Sequence, residues 1–322
     1  MPPRLAKLLA LVVAVAMVGG AFYFRSRSDD EGTKIDDGTK RSGKLRIACV
    51  SELTTACQAL AGDDVEIVLT DAGDTADTLA AADAGPPPYD AWITLEPWPA
   101  MVDVVRQVDQ RPALFDKTPA VASQPLAILT FASVVEELKP PCGGAVDWSC
   151  LGDNAGAQRK VAIPAAKAAL GVLVAGQAAS SRLETTDFDR DAIRAAPFQA
   201  WLKRLLGNAS SRTSDAAIRM AQLGPAAFIA AGTTKGFGRA AATSPQGQQK
   251  QMIVVDPRPA ATAKVVVAPL VSGDRADRAI ALLTGKTGSS ALRQAGWTVP
   301  AVAGGTGLPD AGVLVALREE IE

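Results

Sequence analysis

The sequence predicts an α/β protein with a parallel sheet, because one unit of strand, loop and helix occurs three times near its beginning. The strands are residues 45–50, 65–69 and 90–95, and each is followed by a short loop with a carboxylate and then an alanine-rich helix. Strands that alternate with helices at this spacing form right-handed crossovers and pair in parallel. Open sheets of this kind bind ligands beyond the carboxyl ends of their strands. We therefore look for a site in the three loops.

Later segments indicate a second α/β lobe inserted into the first. The pattern predicts strands at 125–131, 160–164, 226–231, 252–255 and 264–268 and helices at 165–180, 198–206, 213–223, 274–283 and 289–295. Segments 139–154 and 232–249 have the composition of loops, and 182–197 that of a charged connection. We assign residues 44–124 and 235–322 to lobe 1 and 125–234 to lobe 2.

Composition describes a globular protein. The chain has 322 residues, of which 48% are hydrophobic and 21% charged, with 33 basic against 34 acidic side chains. This length suits two ordinary domains. Balanced charge gives no support to nucleic-acid binding, which needs clustered Lys and Arg, and 5% aromatic residues offer few platforms for base stacking.

The beginning of the chain carries a membrane signal. An apolar run at 8–24 follows Arg4 and Lys7 and precedes Arg25 and Arg27. Its length reaches the lower bound of a transmembrane helix, about 17 residues. We predict an anchor at 1–25, a flexible linker at 26–43, and a single-pass membrane protein with its folded domain extracellular. The competing interpretation is a signal peptide cleaved after residues 14–16, which would leave a very short apolar core.

Four cysteines agree with export to an oxidising compartment. Their three connectivities stay open from sequence alone, but proximity favours Cys142 with Cys150 and Cys49 with Cys57. Without histidine, a zinc site would need all four sulfurs, so we predict no metal and no cofactor.

The sequence gives no sign of an enzyme. Its lack of histidine excludes Ser-His-Asp and Cys-His systems, and phosphate-binding and nucleophile-elbow motifs are missing as well. Catalysis by carboxylates alone, as in glycosidases, is the one alternative left open. We predict no catalytic residue.

Several short sequence segments, taken in their order along the chain, resemble the type 2 periplasmic or extracellular solute-binding proteins, in particular their molybdate-binding-like branch. The segments that show this resemblance are residues 44–48 with 51–53, 89–94 with 98–103, 125–130, 216–220 with 224–229, and 278–285 with 290–297. Segment 307–314 resembles the corresponding segment of family members that are fused to a von Willebrand A domain.

This resemblance implies a two-lobed α/β fold with two crossover strands and a ligand held between lobes that close on a hinge. It implies capture of a small molecule for uptake or sensing, and an ABC-type permease as a partner. The alternative is a degenerate binding-protein fold that acts as a ligand-free interaction or sensor module in the cell envelope.

In this family, ligand contacts come from hydroxyls and backbone N–H groups at helix N-termini, which suit anions. Ser51 matches such a position in the first loop, whereas the second loop departs from the small hydroxyl residues of the family's oxyanion binders. The first-lobe candidates for ligand contact are Ser51, Glu52, Asp71, Gly73, Asp74, Thr75, Glu96 and Trp98. Carboxylates in these loops would repel an oxyanion, so we expect a neutral polyhydroxylated or cationic ligand. The alternative for Ser51, Asp74 and Glu96 is helix capping alone. Trp98 is a candidate for stacking on a sugar or cation, or for packing.

The opposite wall is expected to come from the second-lobe loops. The candidates there are Lys167, Thr234 and Lys235. Either lysine could meet a ligand carboxylate or pair with Asp71 or Asp74 across the cleft, and the alternative is a solvated lysine.

Overall fold

The computed structural model describes residues 43–82, 87–207 and 213–322. The predicted anchor lies outside the described residues, and so does the predicted linker apart from Gly43. Among the residues that are described, no helix is both long and apolar enough to cross a bilayer.

The three predicted units form one half of the sheet. Strand β1 (Leu45–Val50) lies between β2 (Val65–Thr70) and β3 (Ala91–Glu96) and pairs with both in parallel. β1 and β3 are almost wholly buried, as expected for parallel strands that are covered on both faces. All three strands end at one edge of the sheet, so the predicted parallel arrangement is confirmed.

A helix follows each of these strands. Helix α1 (Thr54–Gln58) comes after a 3₁₀ turn at Ser51–Leu53, and α2 (Ala72–Ala81) and α3 (Trp98–Val108) begin directly at the sheet edge. Helix α3 buries one face and exposes the other, the pattern of a surface helix packed on a core. The three helix N-termini therefore cluster beside the carboxyl ends of β1, β2 and β3.

Strand β4 (Ala120–Phe131) is twelve residues long and belongs to both halves of the sheet. Its residues 120–125 pair with β8 (Thr262–Pro269), which in turn pairs with β3. Its residues 126–131 pair with β6 (Ala230–Thr234) and β7 (Met252–Val255). The short strand β5 (Val161–Ala162) runs parallel to β6. We call β1–β3, β8 and residues 120–125 the first lobe, and β5–β7 with residues 126–131 the second lobe.

The second lobe holds more helix than the sequence predicts. Its helices in chain order are α4 (Ala132–Leu138), α5 (Trp148–Asn154), α6 (Ala169–Leu183), α7 (Arg190–Arg194), α8 (Ala196–Leu206), α9 (Thr213–Leu223), α10 (Lys235–Thr243) and α11 (Pro245–Gln249). Segments expected to be loops or connections contain α5, α7, α10 and α11. Each of these short helices begins at a polar residue whose side chain accepts a backbone N–H: Asp147, Asp189, Thr234 and Ser244.

The chain returns to the first lobe later than the expected boundary at residue 235. β7 forms its ladder with the second-lobe half of β4, and α10 packs on β4 and β7. Residues 256–261 then lead into β8. The two strand crossings between the lobes are therefore β4 itself and residues 256–261.

Three helices complete the described chain: α12 (Asp274–Thr284), α13 (Lys286–Gln294) and α14 (Ala311–Ile321). The first two match the predicted terminal pair. Helix α14 is not in the sequence-based prediction, although Asp310 caps it by accepting the Val313 N–H at 2.9 Å. It packs on α3 of the first lobe and on α6 and α7 of the second.

Both expected disulfides are present. The Cα atoms are 5.5 Å apart in Cys142–Cys150 and 6.5 Å apart in Cys49–Cys57. Both distances lie within the range that a disulfide spans. The first bond closes the loop before α5, and the second encloses the turn that carries Ser51 and Glu52.

We expect the double change Cys142→Ser and Cys150→Ser to lower the free energy of unfolding by about 2–3 kcal/mol, because the bond restricts the unfolded chain. Urea unfolding followed by tryptophan fluorescence measures this loss. Replacing Cys49 and Cys57 with alanine should cost more, since both of these side chains are also fully buried. An unchanged unfolding midpoint in the first double variant would contradict the prediction.

Candidate functional site

The first-lobe candidates lie together at the carboxyl edge of β1, β2 and β3. Ser51 and Glu52 form the turn after β1, Asp71 to Thr75 open α2, and Glu96 and Trp98 flank the end of β3. The parallel topology brings these three loops to one edge, which is what the sequence predicts. Their role in binding a ligand stays a prediction.

The second-lobe segment that faces them is residues 163–170, which leads from β5 into α6. The Gly73 N–H donates to the Lys167 carbonyl at 2.9 Å, and Lys167 Nζ lies 2.7 Å from Asp74 Oδ1. A Cβ added at Gly73 would lie 2.9 Å from Lys167 Cα, closer than carbon atoms tolerate. Glycine is needed here because the two backbones touch.

Glu52 reaches across to the N-terminus of α6. Its Oε1 accepts the Leu170 N–H at 3.1 Å, in the first turn of the helix. Ala168 at the N-cap offers no side-chain acceptor, so a carboxylate from the other lobe takes this function. Ser51 Oγ lies 3.3 Å from Glu52 Oε2 and 3.4 Å from Asp71 Oδ1. The hydroxyl thus sits between two carboxylates of the first lobe.

Burial raises the pKa of Glu52 above its ordinary value. Hydrogen bonds from the Leu170 N–H, the backbone of Glu52 itself and Ser51 act in the opposite direction, but the loss of solvation outweighs them. The position therefore costs free energy whenever the carboxylate is ionised.

Trp98 is fully buried and lies at the same junction. Its Nε1 donates to the Ala169 carbonyl at 2.9 Å, and the Arg318 guanidinium lies 5.5 Å from its ring centroid. In this arrangement the ring packs the junction and the Arg318 guanidinium lies over it, while stacking of Trp98 on a ligand stays a prediction.

The remaining candidates lie apart from these contacts. Thr75 turns its hydroxyl back to Thr70 Oγ1 at 2.8 Å, and Glu96 Oε2 is 3.8 Å from Lys264 Nζ. Lys264 also donates to the Gly304 carbonyl. The two charged groups therefore pair within the first-lobe sheet, where β3 and β8 are neighbours.

Thr234 and Lys235 face the strand crossings. Thr234 Oγ1 accepts the Phe237 N–H at 3.4 Å and caps α10, while Lys235 Nζ pairs with Asp256 Oδ2 at 2.5 Å. Of the two candidate lysines, Lys167 is the one that meets Asp74. The expectation that either lysine could pair across the cleft is thus met by Lys167.

We call four hydrogen bonds the closure contacts: Glu52 with Leu170, Gly73 with Lys167, Asp74 with Lys167, and Trp98 with Ala169. All of them join first-lobe loops to the segment around the N-terminus of α6. The lobes are closed against each other here by groups of the protein itself. Sequence reasoning missed Ala169 and Leu170, which contribute through their backbone atoms and so carry no residue-type signal.

Two cavities of the described chain lie outside this junction. One of about 500 Å³ lies in the second lobe near the C-terminal end of α6, where it is bordered by the Cys142–Cys150 disulfide and by Arg258 and Pro259. Another of about 220 Å³ lies between α2, α3 and α14, with Trp98 in its wall. Among the described residues, no cluster of three or more acidic, histidine or cysteine side chains could hold a metal ion.

Several solved structures have an architecture similar to that of this chain. The chain is similar to the periplasmic binding protein AfuA from Actinobacillus pleuropneumoniae, solved with exogenous fructose-6-phosphate bound, at 14% identity and a TM-score of 0.57 over 87% of this chain and 95% of that chain. It is also similar to a Listeria monocytogenes protein assigned as a spermidine/putrescine ABC transporter, at 12% identity and a TM-score of 0.54 over 80% of this chain and 84% of that one. The chain therefore shares its fold with these two proteins. At these identities the likeness concerns the fold alone.

A third structure agrees. The periplasmic binding protein P5PA matches at 14% identity and a TM-score of 0.51, over 84% of this chain and 90% of that chain. No family model matches the chain, and no curated protein is significantly similar to it in sequence.

Glu52→Gln tests the cost of the buried carboxylate. Because the folded-state pKa of Glu52 is raised, the folded protein binds its proton more tightly than the unfolded chain does, and stability falls as the pH rises from the unfolded value toward the folded one. The glutamine variant lacks this loss and still offers an oxygen to Leu170. We expect it to be more stable than the native protein at pH 7 and to match it near pH 4.

Denaturant unfolding at several pH values measures this difference. Glu52→Ala is the contrasting variant, because it leaves the Leu170 N–H without its acceptor and should cost about 1–2 kcal/mol. Glu136→Gln, an exposed side chain on α4, is the matched control and should change stability little. A glutamine variant less stable than the native protein at pH 7 would contradict the prediction.

Proposed function

We propose that this protein is a solute-binding protein that captures a small molecule between its two lobes, with no catalytic activity. The observation that carries the proposal is the hinge geometry. Two strand crossings join the lobes, and the loops at the carboxyl ends of the strands meet opposite them. Proteins with this arrangement open and close on such crossings around a ligand.

The polar character of the closure contacts supports the proposal that this junction can open. The closure contacts consist of a few hydrogen bonds and one exposed ion pair, which water can replace on opening. An obligate interface would instead bury a large apolar surface. The likeness in fold to AfuA and to the assigned spermidine/putrescine protein supports the same role.

We infer the ligand class from the charge of the first-lobe wall. Glu52, Asp71 and Asp74 line it, and two basic side chains reach it. Lys167 pairs with Asp74, and Arg318 lies beside Gly73, where its guanidinium is already bound to Asp77. An oxyanion would meet these carboxylates at short range. A neutral polyhydroxylated or cationic solute is therefore favoured.

The proposal extends to place and partners. The apolar run at 8–24 would tether the domain to the cell membrane with the lobes outside, and an ABC-type permease would receive the solute. The narrower likeness to the molybdate-binding-like branch and to members fused to a von Willebrand A domain belongs to this proposal as well.

The closed junction favours a second function. Because the protein's own groups fill the contacts between the lobes, the same fold would also suit a ligand-free interaction or sensor module in the envelope. A ligand that binds the folded state raises its melting temperature, whereas an empty scaffold shows no shift with any solute.

A thermal-shift screen with spermidine, a monosaccharide, fructose 6-phosphate, sulfate and molybdate separates the two functions. We expect a shift with an amine or a sugar and none with sulfate or molybdate. Tight binding of either oxyanion would contradict the argument from charge, and a flat result across a wider panel of amines and polyols would favour the ligand-free module.

For any solute that binds, Asp74→Ala should weaken affinity by about tenfold or more, the scale of a lost hydrogen bond to a charged group. Titration calorimetry measures it. Asp63→Ala is the matched control, since Asp63 is an exposed first-lobe carboxylate just before β2, at the opposite edge of the sheet. Equal affinities of both variants and the native protein would remove Asp74 from the site.

A further inference from the structure

Helix α14 lies between the two lobes. It packs on α3, which belongs to the first lobe, and on α6 and α7, which belong to the second. The helix therefore adds a third connection to the two strand crossings. Opening the lobes has to break its contacts on one side or the other.

Its contacts with the second lobe are apolar and close. Leu314 is fully buried, and a Cβ added at Gly176 of α6 would lie 2.6 Å from Leu314 Cδ2. Leu317 is fully buried as well. Further along the helix, Glu320 Oε2 accepts from Gln199 Nε2 at 3.1 Å. These contacts hold α14 to the second lobe.

Its contacts with the first lobe combine packing of the helix on α3 with an ion pair. Arg318 donates to both carboxylate oxygens of Asp77, at 2.7 and 2.8 Å, and its guanidinium lies over the Trp98 ring. A cavity of about 220 Å³ remains beside this ion pair, with Val315 of α14 and Met101 and Val102 of α3 in its wall. Arg318 Nε is buried without a hydrogen-bond partner among the described residues, which costs free energy in this arrangement.

The same first-lobe elements carry the closure contacts. Asp77 lies one helical turn after Gly73 and Asp74 on α2, and Trp98 donates to the backbone of α6. Parting of the first lobe from α6 therefore also separates Asp77 and Trp98 from Arg318, if α14 stays with the second lobe.

We propose that Arg318 is a latch: α14 moves with the second lobe, and the contacts of Arg318 with Asp77 and Trp98 must release before the cleft opens. The latch sets the balance of open and closed states without touching the ligand. This inference rests on the proposed hinged cleft, but it needs no bound solute to be tested.

Pulsed electron paramagnetic resonance between spin labels at Gln107→Cys and Arg239→Cys measures the separation of the lobes. Both positions are exposed, and they lie on α3 of the first lobe and α10 of the second. We expect a longer and broader distribution of distances in the labelled Arg318→Ala variant than in the labelled protein that keeps Arg318. Asp77→Asn should act in the same direction while leaving the packing of α14 intact.

Two further variants make the test specific. The charge swap Asp77→Arg with Arg318→Asp should return the distribution toward the closed one, which a merely structural role would not produce. Arg204→Ala removes an arginine that pairs with Asp153 inside the second lobe, and should leave the distances unchanged.

An unchanged distribution in both Arg318→Ala and Asp77→Asn overturns the latch. If Arg318→Ala fails to fold, shown by its unfolding curve, Asp77→Asn decides alone. The proposed function fails separately: distances that respond to Arg318→Ala, but to none of spermidine, a monosaccharide or fructose 6-phosphate, leave a latched hinge without a captured solute.

Discussion

Strand β4 sets the strand directions of both lobes. It runs through them in one piece, pairing first with β8 and then with β6 and β7, so the direction of every strand paired with it is fixed relative to one chain segment. It runs parallel to β3 and antiparallel to β6, and as a result the carboxyl ends of β3 and β6 point toward the same crossing. The helix N-termini of both lobes come together for this reason. The meeting of these loops at one place is a product of strand direction before any side chain is considered.

The closed state depends on backbone groups as much as on side chains. Glu52 and Trp98 both hydrogen-bond to the main chain at the beginning of α6, and Gly73 contacts Lys167 through two backbones. Such contacts require only that the two backbones approach closely and that a few polar atoms are correctly placed. They give a junction that is specific in geometry and modest in energy, which agrees with the proposed opening and closing of the lobes.

The strand and loop pattern could be predicted because it follows from local periodicity. The edge at which Ser51, Asp71 and Glu96 gather follows from parallel pairing alone. The helices at 235–249 could not be predicted in the same way, because three glycines and a proline lower the helix propensity of this segment. It takes its structure from Thr234 and Ser244 as caps and from packing on β4 and β7. The partners of Glu52 and Arg318 are far away in sequence, and no local pattern encodes them. The signal for α14, Asp310 before an apolar run, was present in the sequence.

The disulfide between Cys49 and Cys57 has a consequence for where this protein becomes functional. It joins the end of β1 to α1 and closes a small covalent ring around the turn that holds Glu52. The ring restricts that turn before the lobes meet, so part of the ordering that Glu52 needs is completed as soon as the thiols are oxidised. Without this bond the turn that holds Glu52 would be less restricted, and its contact with α6 would be weaker. Assembly of the junction is in this way tied to the chemistry of the compartment in which the chain folds.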